Sequence, residues 1–143
     1  MSMDTGVQPE YDWEALRRES QVLLKANPTV TYRAPSGKNM PCFYDRGETV
    51  NADGEVTGIG CFFGQVFDIL GYDELRDGRV GISQILDENF DPSDDFHSDT
   101  YREYHDFYTW AAEMQSAQDD GHTWAEANRR GEEAVWEKYN GRI

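Results

Sequence analysis

The sequence predicts a helix-dominated α+β fold in a single domain: an N-terminal helix, a small antiparallel β-hairpin sheet, a buried central helix and a C-terminal helical hairpin. Three observations carry this expectation. The stretch Ile59–Tyr72, IGCFFGQVFDILGY, is apolar on nearly every side at helical spacing, with only Gln65 and Asp68 strongly polar, and a helix of that kind is a buried one. Asn51-Ala52-Asp53-Gly54, set between Thr49-Val50 and Val56-Thr57, is a hairpin turn. Two long helical patterns then run on either side of Gly121, close enough in sequence to pack antiparallel. With 143 residues, 38% hydrophobic and 13% aromatic, the chain suits one domain with a real core, standing alone or as a small homo-oligomer.

Taken in order, residues 1–11 lack periodicity and read as a disordered tail. They have neither a basic n-region nor an apolar h-region, so a cytoplasmic location is the default expectation. Asp12 can cap a helix from Trp13 to about Ala26, with Trp13, Leu16, Ser20, Leu23 and Leu24 on one side, and Asn27-Pro28 stops it. TVTYR at 29–33 and CFYDRG at 42–47 are short β-rich runs around a Pro/Gly loop. The central helix is expected over 59–70, with Gly71 at its C-terminal end. At roughly 14 residues it falls short of the roughly 20 that cross a bilayer, so no membrane partner is expected. Gly60 and Gly64 lie four apart, which suits close approach of another backbone.

Beyond the core helix, Asp73-Glu74-Leu75 and Gly81–Leu86 suggest short helical turns, and residues 87–97 an acidic loop containing Pro92. Ser98 is a credible N-cap for a long helix through Asp119 whose stripe is Tyr101, Tyr104, Tyr108, Ala111, Ala112 and Gln115. Thr123 and Glu126 have capping-box spacing, so the last helix starts at Trp124. Its apolar side is expected to carry Trp124, Ala127, Val135, Trp136 and Tyr139, with a kink or break at Gly131. Cys42 and Cys61, the two cysteines, have apolar or aromatic neighbours and read as buried reduced thiols.

Charge is the most informative quantity. Against 13 Lys and Arg stand 28 Asp and Glu, a formal net charge of -15, which excludes a phosphate-tracking nucleic-acid binder. The excess is local: residues 41–80 carry eight acids and three bases and residues 81–120 eleven and one, whereas both ends of the chain are neutral.

Two segments resemble small uncharacterised proteins of actinobacteria and their bacteriophages. The first is the helix motif matched by Cys61, Gly64, Val66, Leu70 and Gly71; the second is matched by Ala117, Gln118, Asp119, Gly121, Thr123, Trp124 and Ala127. The likeness spans residues 42–128, although SAQDDGHTW runs together two Gln-containing turns that those proteins separate. Both motifs are patterns of packing and capping. The resemblance therefore implies a fold and a phage or prophage origin, and implies no activity.

No catalytic, cofactor or metal motif stands out. HExxH, CxxC, GxSxG, GxxxxGK and GxGxxG are all missing from the sequence. His97, His105 and His122 lack ligand spacing, and the acidic run Asp87–Asp95 lacks the alternation, central glycine and terminal glutamate of a calcium loop. A non-enzymatic protein without cofactor or metal is expected.

Two functional classes remain, with a structural part in a virion or complex as a third. In one, the chain binds a host or phage protein through an aromatic and acidic surface: Tyr101, Tyr104, Phe107, Tyr108 and Trp110 exceed what one helical stripe holds, with Asp94 and Asp95 in the adjoining loop. In the other, the acids of residues 81–120 imitate a nucleic-acid backbone and block a DNA-binding protein.

Overall fold

The computed structural model describes residues 11–34, 44–77, 80–91 and 98–140. Within them the expected architecture is present: five helices, a three-stranded antiparallel sheet and a C-terminal helix pair.

Helix α1 is Trp13–Ala26, begun by Asp12, whose carboxylate accepts from the Glu14 and Ala15 amides. It buries Trp13, Leu16, Ser20 and Leu24, and the Ser20 hydroxyl donates to the Leu16 carbonyl at 2.7 Å, so nothing polar on that face is left unbonded. The expected tail is one residue too long. Tyr11 packs edge-on against Tyr72 at 4.9 Å and its hydroxyl donates to Glu74, docking the chain just before the helix; residues 1–10 lie outside the described residues.

Strands β1 (Thr31–Arg33), β2 (Glu48–Val50) and β3 (Val56–Ile59) form the sheet in that order, with Tyr32 opposite Thr49 and Glu48 opposite Ile59. The β2–β3 turn closes as its sequence suggests: Asn51 Oδ1 accepts from the Asp53 and Glu55 amides while Gly54 takes φ 84°. The expected strand at 42–47 is corrected. Residues 44–47 are bends, because Gly47 at φ 75° turns the chain, and residues 42 and 43 lie outside the described residues.

The central helix starts three residues later than the sequence suggests. Ile59 ends β3 and is 55% exposed, Gly60 at φ 91° breaks the chain direction, and α2 runs Phe62–Leu70 from an N-cap at Cys61. It buries Phe62, Phe63, Gly64, Val66 and Phe67 but leaves Ile69 54% exposed, so it is a core helix with one wet flank. Gly71 ends it at φ 77°. Gly60 and Gly64 permit close approach, and what approaches is the Tyr44 backbone: a Cβ at either position would lie 2.3 Å or 1.9 Å from the Tyr44 carbonyl oxygen. Cys61 is buried and disulfide-bonded, which corrects the reduced-thiol expectation. That expectation rested on compartment, which does not govern whether two sulfurs meet; Cys42 lies outside the described residues.

A 3-10 turn at Asp73–Asp77 leads to α3, Ile82–Asn89, which takes in the first three residues of the expected acidic loop. Helix α4, Asp99–Asp119, starts where Ser98 Oγ accepts from the Tyr101 amide. Helix α5, Trp124–Asn140, starts with half of a capping box: Thr123 Oγ1 accepts from the Glu126 amide, while the Glu126 carboxylate turns to Arg129 and Arg130. Two further amides of its first turn, of Trp124 and Ala125, donate to the carbonyls of Val30 and Pro28, tying the hairpin to the segment between α1 and β1. No break occurs at Gly131. A Cβ there would lie 2.5 Å from Trp110 Cδ1, so this glycine lets α4 and α5 approach.

Neither α2 nor α3 has a side-chain cap of its own, since Cys61 and Gly81 supply none. Both are capped from α4. Gln118 Oε1 accepts from the Phe62 amide at 2.8 Å and the Trp124 indole at 3.1 Å. Gln115 Oε1 accepts from the Ile82 amide at 2.7 Å, and its Nε2 donates to the Tyr44 hydroxyl, which donates onward to the Val80 carbonyl. Both glutamines are buried, so each bond satisfies a donor or acceptor that water does not reach.

Replacing Gln118 by leucine keeps the volume but strands the Phe62 amide and the Trp124 indole. A loss of about 2–6 kcal/mol is expected, at about 1–3 kcal/mol for each of the two orphaned donors, read as a fall in the urea midpoint at constant slope. A loss below about 0.5 kcal/mol, the size of an ordinary surface change, would contradict this reading.

Candidate functional site

The structure separates the residues that the sequence groups as an aromatic face on α4. Tyr104, Phe107 and Trp110 are all buried; Tyr104 is taken up by the core, while Phe107 and Trp110 also line a groove. Tyr104 and Phe107 pack on Trp13 of α1, the Tyr104 hydroxyl donates to the Leu86 carbonyl of α3, and Trp110 Nε1 donates to Asn128 of α5. Helix α4 is thus packed on three sides, and its buried face is wider than one stripe. Tyr101 and Tyr108 are half-buried and flank the exposed His105, with ring centroids 6.2 and 6.1 Å from it. The Tyr108 hydroxyl donates to Asp87. Asp94 and Asp95, with His97, lie outside the described residues.

What the molecule offers instead is a groove where α1, α4 and α5 meet, with a volume of about 270 Å³. Phe107 and Trp110 form its floor and Val135 one apolar wall. Arg17 and Gln21 of α1 face Asp106 of α4 and Glu132 of α5 across it. The Arg17 guanidinium sits 5.0 Å over the Trp13 ring and 3.9 Å from Glu103, so its charge is already engaged.

The groove continues along α5. Glu132, Val135, Trp136 and Tyr139 stand at i, i+3, i+4 and i+7, one helical face; the first two line the groove, while Trp136 and Tyr139 are 61% and 57% exposed. The sequence reading placed those two aromatics in the core, and this too is corrected. At 100° per residue Trp136 lies 120° around the helix from Trp124, an offset that separates it from the buried stripe. Asp106 links groove and helix end, accepting from Lys138 Nζ at 2.7 Å and from the Tyr139 hydroxyl at 2.8 Å. Lys138 Nζ also lies 3.1 Å from His105 Nδ1.

Among the described residues no three His, Cys, Asp or Glu side chains come together as metal ligands, and no helix is long and apolar enough to cross a membrane. No known protein family, curated protein or solved structure matches the chain.

Burial pushes the Tyr104 phenol up from its ordinary value of 10 to about 12, with the Asp87 charge adding to the effect. Because the folded value is the higher one, the contribution of this group to stability is complete below pH 10 and disappears as pH rises to about 12. The Tyr104→Phe variant should therefore lose less stability than wild type between pH 10 and pH 12. Parallel slopes of unfolding free energy against pH for the two proteins would refute the assignment.

Proposed function

We propose that this is a non-catalytic acidic protein that acts by binding a protein of the host or phage through the outer turns of α5 and the groove beside them. The observation that carries this reading is the continuous face on α5. A large aromatic pair left in water beside an apolar-floored groove is the composition of a binding patch, since tryptophan and tyrosine dominate the energetics of protein interfaces. The resemblance of residues 42–128 to actinobacterial and phage proteins supports a phage or prophage origin. The accessible rings of this contact are those of Trp136 and Tyr139 on α5, with Phe107 and Trp110 of α4 as the groove floor beside them.

The test is affinity capture from nuclease-treated actinobacterial lysate, with wild-type bait and a Trp136→Ala/Tyr139→Ala bait, each at low and high salt. A partner retained by wild type at high salt and lost from the double variant is the expected result. Both side chains are exposed, so the variant should keep its fold. DNA-binding proteins captured equally by both baits and released by salt would replace this reading with nucleic-acid mimicry, in which exposed acids such as Asp87, Glu88 and Asp91 supply the contact. An empty capture at both salts would contradict protein binding.

A further inference from the structure

The charge around the groove narrows what can lie in it. Residues 99–140, the α4–α5 hairpin, carry ten carboxylates and four basic side chains. All four bases are already in ion pairs within the hairpin: Arg102 with Asp99, Arg129 with Glu126 and Glu133, Arg130 with Glu126, and Lys138 with Asp106. Among the described residues, Glu132 on the groove rim has no basic partner. Arg17, the one base lining the groove, is held by Trp13 and Glu103. The uncompensated charge beside the apolar floor is therefore negative.

That sign disfavours three occupants. A second copy of a chain with net charge -15, a nucleic acid and an anionic membrane surface would each bring more negative charge to the same place. The volume of about 270 Å³ lies just below the roughly 300–1,000 Å³ of sites that enclose a drug-sized ligand, and the groove is open along α5. It suits an anchoring side chain delivered by a longer element. An amphipathic helix fits a groove between helices in this way, with apolar anchors at i, i+3, i+4 and i+7 and charges along its flanks.

We infer that the partner presents a basic amphipathic helix to this groove, its apolar anchors over Phe107, Trp110 and Val135 and against Trp136 and Tyr139, its Lys or Arg flank facing Glu132. This deepens the proposed protein-binding role and rests on it. The apolar anchors supply affinity and the flank supplies orientation, because a charge at an interface rim steers and registers more than it tightens.

The probe is a fluorescein-labelled Lys/Leu amphipathic peptide of about 18 residues, five turns at 3.6 residues each. Its controls are a scrambled isomer of the same composition and a Glu/Leu counterpart with the same apolar face. Fluorescence anisotropy with the full chain at 0.15 M salt should show the Lys/Leu helix binding, the isomer at least about tenfold weaker and the Glu/Leu peptide not at all. Glu132→Lys should weaken the Lys/Leu helix about fivefold to tenfold and Trp136→Ala at least as much; both sites are exposed, and a circular dichroism melt verifies that each variant is folded. Equal binding of the scrambled isomer would reduce the effect to bulk charge and overturn the proposal, as would absence of binding or affinities unchanged in both variants. If capture of a lysate partner still depends on Trp136 and Tyr139 while the Lys/Leu helix fails, the basic-helix assignment alone is wrong; failure of both removes the protein-binding reading as well.

Discussion

Two side-chain amides three residues apart on α4, those of Gln115 and Gln118, hold the N-termini of two other helices. A helix begins with four amides that its own backbone cannot satisfy, and α2 and α3 enter the core without a local cap. Each places its start against α4, where a buried glutamine oxygen receives the Phe62 or the Ile82 amide. The same Gln118 oxygen receives the Trp124 indole, so the start of α5 is fixed to the start of α2. Through the Tyr44 hydroxyl, Gln115 reaches the segment before β2. That segment fits only because Gly60 and Gly64 carry no side chain where the Tyr44 carbonyl passes. In a buried network every unmet partner is costly, so these bonds select one arrangement of α2, α3 and α5 around α4 and disfavour its near neighbours.

The local signals were legible in the sequence and the distant ones were not. Asp12, Ser98 and Thr123 cap the helices that follow them, Asn51–Gly54 closes the hairpin and Gly71 ends α2, because such bonds join residues a few positions apart. The start of α2 is different: its donor and its acceptor lie 56 residues apart, and a run that includes Ile59 looks helical until Gly60 turns the chain. Periodicity also misled on α4 and α5. It assumes one buried stripe per helix, whereas α4 meets α1, α3 and α5 and so buries Tyr104, Phe107 and Trp110 together. Helix α5 is covered on one side and releases Trp136 and Tyr139 into water. The candidate site was accordingly half legible: Phe107 and Trp110 belong to it as floor, and its accessible rings sit on the neighbouring helix.

The division between core and surface explains the composition. The interior consists largely of aromatic rings in edge-to-face contact, such as Phe62 with Phe63 and with Trp124, both at 4.9 Å. A compact aromatic interior leaves the acids outside, where like charge opposes the approach of a second copy. A face that is both aromatic and anionic can then be selective. In the proposed role its rings would provide contact area and its carboxylates would reject anionic competitors, a combination of attraction and exclusion on which specificity depends.

The most direct test of this account is native-state hydrogen exchange at the Phe62 and Ile82 amides, the two donors received by the glutamines. First-turn amides of a helix ordinarily exchange through local fraying. If α4 caps α2 and α3 as described, both should exchange only with an opening close to the global unfolding free energy, and substituting Gln118 should release Phe62 while leaving Ile82 protected. Exchange at both positions as fast as at the exposed first-turn amides of α1 would show that the glutamine bonds do not hold in solution, and the central constraint would have to be sought elsewhere.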